Sequence, residues 1–471
     1  MKAIRPLAFA CLLLSGPSFA VAAPPMPPRH HEPYALHTGL HGGVIAGQRS
    51  AFRDVVTSPG AAWMRIFLVD HNLGAESYVT FTSLQDGGVQ RLDARSMKHW
   101  NNATAAFNGD AVEVELHVAP GDEGVFFEIG ALTVGEWIDQ PEDGGVASIC
   151  DATDDRVDSS DPRVGRLYIG GCTAWLTSNG AVLTAGHCVD FEPDDTPTCS
   201  CCPLLPDGVL DLNGFVEFNI PLSTGLGNPV VANPNDQYPI DQTSVVWRFD
   251  GCGTGQPFGL GKDYAVFAVN PNGATDARAH VAQGFFRMTR EAPAIDATVR
   301  VTGCGVDSNT PTRNFALQTD TGTFEGESSS AADFWHAHRV DTQGANSGSP
   351  IIWEANGLTI GIHTNAGCGN PGGANSGTSF EHTALETALE TFPGFGAVYV
   401  DRGHPLPVDD NGTIFRPYNT IPEAIADVPN GGIISIVEGT YSASEGNTFL
   451  VGDDGRAMWI SAPVGSVLIG N

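Results

Sequence analysis

The stretch "NGAVLTAGHCVD", residues 179–190, decides the reading of this chain. Its first half, Ala181 to Ala185, is a short apolar run of the kind that forms a buried strand. The run ends at Gly186, and His187 follows on a turn. Cys188 comes next, and Cys172 lies sixteen residues back in "GGCTAWL". A bridge between these two cysteines can staple two strands beneath the imidazole. A lone histidine is more often structural than catalytic, so the reading rests on whether partners exist elsewhere.

Serine-based hydrolysis needs a base to take the hydroxyl proton and a carboxylate to orient that base. "GKDYAVFAV" (261–269) supplies Asp263 directly before an apolar strand. "DTQGANSGSP" (341–350) sets Ser347 among small residues, which let backbone N–H groups converge on an oxyanion. An aspartate ahead of a strand and a serine in a small-residue loop are each weak signals. In the order His, Asp, Ser, separated by 76 and 84 residues, they are together strong.

The rest of the chain sets the context. At 471 residues it is too long for one ordinary domain. Its 57 Gly and 32 Pro, with only 16% charged residues, predict many short strands and turns. The formal net charge of −31 disfavours nucleic acid, whose phosphates ask for a basic face. Lys2 and Arg5, then "LAFACLLL" and "AVAA", read as a signal peptide over 1–23. The run is too short to span a bilayer, and the expected address is secreted, extracellular or periplasmic. No membrane association is expected once the signal is gone. Nine cysteines then remain, an odd number in a disulfide-permitting compartment. The cluster "CSCC" (199–202) lacks the spacing of common zinc sites, so disulfides are its expected use.

Residues 34–138 alternate as half-buried strands do. In "AVEVELHVA", Val112, Val114, Leu116 and Val118 face one way, and Glu113, Glu115 and His117 the other. This predicts an antiparallel β-sandwich, an accessory or pro-domain with no catalytic cluster of its own. Residues 139–163 are acidic and turn-rich and read as a linker open to processing. Residues 164–392 carry short apolar runs between Gly, Pro and Asn, as in a pair of β-barrels, with "HTALETALETF" as a helix near their end. In 397–471, Thr420 and Glu423 form a capping box ahead of Ile421, Ala424, Ile425 and Val428 at helical spacing.

"LTAGHC", "KDYAVF" and "NSGSP" resemble the chymotrypsin-like serine protease family, and the likeness runs over 164–392. The resemblance implies two antiparallel six-stranded β-barrels, trypsin-like, with the site between them. His187 would be the general base, Asp263 its orienting carboxylate and Ser347 the nucleophile. The N–H groups of Ala345 and Ser347 would form the oxyanion hole. "VTGCG" (301–305) resembles the strand end that opens the second barrel. "DDRVDSSDPRVGRL", "DTQGANSGSP" and "TIGIHTNAG" resemble the glutamyl-endopeptidase branch, whose members read an acidic P1 side chain. The matching positions are Thr342 and His363. The implied substrates are proteins or peptides, with no cofactor and no metal.

Two positions depart from the family's pattern. The family has glycine where this chain has Ala345, because the backbone there tends to positive φ. The expectation is a formed hole that accepts strain. In the digestive branch an aspartate before the nucleophile pairs with a newly cut N-terminus, and the neutral Asn346 cannot make that ion pair. The last 75 residues resemble the cap and first coils of a pectin-lyase-like β-helix, too short for a full solenoid. Two other functions compete with proteolysis. One is a catalytically weak or inactive homologue acting as a binding protein. The other is a carbohydrate-binding or lyase protein built on the C-terminal module.

Overall fold

The computed structural model describes residues 27–43, 49–139, 148–168, 171–189, 214–249, 259–273, 275–330, 333–368, 373–392, 396–405, 409–447 and 456–470. The expected signal peptide and the "CSCC" cluster lie outside them. No helix among the described residues is long and apolar enough to cross a membrane.

The alternating N-terminal strands form two four-stranded antiparallel sheets. One orders Arg29–His37, Phe126–Gly135, Trp63–Asn72 and Ala103–Asn108. The other orders Arg49–Thr57, Ala111–Val118, Tyr78–Ser83 and Val89–Asp93. Period two puts Val112, Val114, Leu116 and Val118 on the inner face, where they are buried with Phe81, Phe107 and Phe127. Glu113, Glu115 and His117 line the outer face.

Two closed barrels follow. The first runs Val164–Leu167, Cys172–Leu176, Val182–Thr184, Asp263–Val269, Gln237–Phe249 and Phe215–Glu217, in spatial order. The second runs Thr298–Gly303, Pro350–Trp353, Leu358–Asn365, Asn375–Ser379, Asp333–His338 and Gln318–Ser330, and closes by pairing the last strand with the first. The chain is therefore mostly β, with two six-stranded antiparallel barrels. A short strand, Val157–Asp158, adds to the rim of the second by pairing with Gln318 and Thr319.

That edge strand revises the expected linker. From Ser148 onward the stretch is bonded to the second barrel instead of hanging free. Cys150 is disulfide-bonded to Cys368. Its amide donates to Asp341 Oδ1 at 2.6 Å, and Arg339 donates to its carbonyl at 2.7 Å. Acidic, turn-rich composition reads as a tether because nothing local in it reveals a partner some 200 residues away.

The sandwich is keyed to the first barrel by two amide side chains. Gln237 accepts from the Ala106 amide at 2.8 Å and donates to its carbonyl at 2.9 Å. Asn108 does the same to Val231, at 3.0 and 2.9 Å. Each completes a pair of backbone groups that would otherwise be buried without partners. Beside them Tyr168 stacks on Phe215 with ring centroids 4.2 Å apart, and Trp63 meets Tyr168 edge-on.

At the C-terminal end, Thr383–Glu390 is the expected helix, burying Leu385 and Leu389. Strands Ala397–Val400, Gly432–Ile436 and Met458–Ser461 then pair in parallel. Helix Ile421–Asp427 packs beside them, and Glu423 accepts from the Thr420 amide at 3.0 Å. A bidentate pair, Arg287 with Asp401, fastens this part to the second barrel's approach.

Candidate active site

Strand register brings His187 and Asp263 together. Val182–Thr184 runs antiparallel to Asp263–Val269, with Thr184 opposite Ala265. Two residues beyond Thr184 therefore lie level with Asp263, and the turn Gly186–Cys188 starts there. Gly186 is required at this spot. A Cβ would stand 2.0 Å from the Arg248 carbonyl oxygen. Asp263 Oδ1 accepts the His187 amide at 2.9 Å, and Oδ2 meets His187 Nδ1 at 2.6 Å. The imidazole is thus held at both backbone and ring by one carboxylate, which fixes the proton on Nδ1 and leaves Nε2 the basic nitrogen. Both side chains are buried, and Phe249 leans on the ring. Thr378, from the second barrel, accepts the Asp263 amide and donates to its carbonyl.

The loop bearing Ser347 is braced from both barrels. The Thr173 amide donates to the Ser347 carbonyl at 2.8 Å, and Thr173 Oγ1 donates to the Ala345 carbonyl at 3.0 Å. On the other side Gly348 donates to the His363 carbonyl and His363 to the Ser349 carbonyl, both at 2.8 Å. Gly348 has φ +92°, and a Cβ on it would lie 2.1 Å from the Thr173 carbonyl oxygen. The Cys172–Cys188 disulfide forms beneath this junction. Cys188 Sγ sits 3.9 Å from the Ser347 carbonyl oxygen, so the serine backbone lies against the residue after His187. Ser347 itself remains partly exposed.

Ala345 adopts φ +73° and is buried. The carbonyl of Gly344 accepts the Val306 amide at 2.9 Å. In a trans peptide the amide on the other end faces the opposite way, so the Ala345 N–H points away from Val306. Asn346 lies against Gly303 and Gly305, beside the Arg156 guanidinium. Arg156 is bonded to Asp154 and to the Val306 carbonyl.

A short chain of contacts joins Thr342 to His363. Thr342 Oγ1 lies 3.1 Å from Asn375 Nδ2 and 2.8 Å from Ser148 Oγ. Asn375 pairs across the barrel with His338, whose Nε2 lies 3.2 Å from His363 Nδ1. His338 Nδ1 accepts the Val340 amide, so its proton sits on Nε2 and is donated to His363. That assignment follows from the network and leaves His363 with its own proton on Nε2. Burial, with a smaller effect from the nearby His187, pushes His363 down to about 3. His338 is held well below the usual histidine range by burial, then by His363 and His336. Both rings are neutral at neutral pH.

Sequence reasoning missed His338 and Ser148. A signal for the first exists, since His336 and His338 in "FWHAH" share one face of a strand by period two. Ser148 carries no local signal.

No family model matches the chain, and no curated protein matches it. Three solved structures illustrate what it is similar to. One is a Glu endopeptidase in complex with MPD, 18% identical, covering 50% of this chain and 97% of its own, with a TM-score of 0.36. Another is the protease Anisep from Arthrobacter nicotinovorans, 15% identical over 50% of this chain and 98% of its own, TM-score 0.34. The third is neuropsin, a serine protease of mouse brain, 15% identical with 50% and 98% covered, TM-score 0.32.

Proposed function

We propose that the chain is a secreted serine endopeptidase in which Ser347 attacks the scissile carbonyl, His187 takes its proton and Asp263 orients His187. The observation that carries this reading is the pair of hydrogen bonds by which Asp263 holds the His187 amide and ring, next to a serine loop braced from both barrels. Attack by Ser347 Oγ forms an acyl-enzyme as its proton passes to His187 Nε2, which then gives it to the leaving amine. The Ala345 and Ser347 amides stabilise the oxyanion. No step needs a metal or an organic cofactor. Labelling with a serine-directed phosphonylating reagent tests the proposal. Modification at Ser347 that is lost in His187→Ala supports it. Unlabelled Ser347 in folded protein favours the competing reading, a binding homologue.

Preference for an acidic P1 residue belongs to the same proposal. A neutral His363 offering an Nε2 proton, relayed from His338, is suited to a carboxylate and poor for a cation. Thr342 adds a hydroxyl. Matched peptides differing only at P1 test it, and equal turnover with Arg or Phe there would rule the preference out.

A further inference from the structure

Three carboxylates from distant parts of the chain meet at Asp341, the residue before Thr342. Antiparallel pairing of Val157–Asp158 with Gln318 and Thr319 carries Asp155 toward Asp320. Asp341 closes the group, since its amide donates to Asp320 Oδ2 at 2.7 Å. One oxygen of each of the three carboxylates lies within 4.8 Å of the other two. Their burial is graded. Asp155 is exposed, Asp320 half-buried and Asp341 only 3% exposed.

Asp341 gives the group its meaning. Its Oδ1 accepts the Cys150 amide, but Oδ2 is buried with no hydrogen-bond partner. The Asp155 amide faces this carboxylate, yet not in a geometry that satisfies Oδ2. An anionic oxygen left bare in the interior is costly. The nearest basic groups are engaged elsewhere. Arg156 bonds Asp154 and the Val306 carbonyl, and Arg339 bonds the Gly373 and Cys150 carbonyls.

We propose that Asp155, Asp320 and Asp341 form a divalent-cation site that takes calcium. Three carboxylates provide the hard oxygen donors calcium prefers, and the exposed Asp155 side leaves room for waters to complete six to eight ligands. Magnesium, which wants a tight octahedron, is a poorer match. The ion would tie three segments together. They are the approach to the edge strand, the strand Gln318–Ser330, and the loop that runs through Thr342 to Ser347. The site is independent of whether the serine is catalytic.

The test uses the purified full chain, stripped with chelator and titrated with calcium chloride alone by calorimetry, with thermal unfolding in parallel. The expected result is one saturable site, with a dissociation constant of about 10⁻⁵ to 10⁻³ M, and a calcium-dependent rise in Tm. Asp155→Asn, at an exposed position, and Asp320→Asn should each weaken binding by about tenfold or more. Magnesium chloride should bind more weakly than calcium. No saturable heat and no shift in Tm up to about 10 mM calcium would overturn the proposal. So would calcium affinity unchanged in both variants.

Discussion

The Gly344 carbonyl accepts the Val306 amide, and this bond decides which way the peptide entering Ala345 faces. Were that peptide flipped, the carbonyl would point into the proposed oxyanion hole. Tied to Val306, it cannot do so without losing the bond. Ala345 meets this arrangement with φ +73°, at a strain of about 1–2 kcal/mol for a residue with a Cβ. Glycine would relieve the strain but lose about 0.5–1 kcal/mol through the freer unfolded chain. Ala345→Gly is therefore expected to stabilise by a net of about 0.5–1 kcal/mol, with kcat/KM equal or higher. Urea unfolding measures the first and peptide hydrolysis the second. A clear loss in kcat/KM with folding intact would remove Ala345 from the oxyanion hole.

The three proposed catalytic residues should fail as a unit. Ser347→Ala and His187→Ala are each expected to abolish most hydrolysis, and the double variant should be no worse than either alone. Losses that multiply would mean the two act independently. Asp263→Asn should lower kcat by about 10⁴, because the amide favours the wrong imidazole tautomer. Single-turnover kinetics on purified variants would measure all three.

Buried neutral histidines make acid destabilising. His363 sits at about 3 in the folded chain and near 6.5 unfolded. Between those values the unfolded state binds the extra proton, so stability is full above about 6.5 and is lost as pH falls toward 3. His363 is expected to account for a loss on the order of 5 kcal/mol between neutral pH and the acid limit. His363→Gln should flatten the dependence of the urea midpoint on pH below neutrality. An unchanged slope would mean the ring is hydrated and titrates normally.

Glu390 works in the opposite sense. Burial lifts it to about 7, while its Oε1 accepts the Ile414 amide at 3.1 Å. Its folded value lies above its unfolded one, so its contribution is present below about 4.5 and lost as pH rises through 7. A glutamine side chain in its place would keep the acceptor without the charge. Glu390→Gln should therefore be neutral at pH about 4 and stabilise by about 3 kcal/mol at pH about 8. Thermal unfolding at the two values measures this, and a variant less stable at the higher pH would contradict it.

What was legible in the sequence was what neighbouring residues encode. Alternation in "AVEVELHVA" gave the inner and outer faces of a sheet, and "LTAGHC" placed a histidine at a strand end. The pairing of His187 with Asp263 was suggested by the order and spacing of the motifs and by resemblance, while the strand register that brings the two together is visible only in the fold. The cross-chain bonds were not readable. Nothing in "ASIC" points to Thr342 or Cys368, and Asp155, Asp320 and Asp341 look like ordinary surface acids until register and closure bring them together. His338 lay between. Its pattern is local, but its partner His363 lies on a strand one removed in the barrel wall. From Ser148 to Arg163 the linker expectation misled for the same reason, since composition reports solvent affinity and says nothing of a partner distant in the chain.

The two amide keys at Gln237 and Asn108 bear on what a cut in the chain would do. They do not depend on the peptide connecting the sandwich to the barrels. A protease nicking between Asp139 and Ser148 would sever the covalent link and leave the seam intact: both keys, the Tyr168–Phe215 stack and the Trp63 edge. The Cys150–Cys368 bridge would meanwhile hold the new end of the second fragment in place. The nicked protein would run as two bands under denaturing conditions and travel as one particle under native ones. The sandwich would then be a resident subunit that outlives its own covalent attachment.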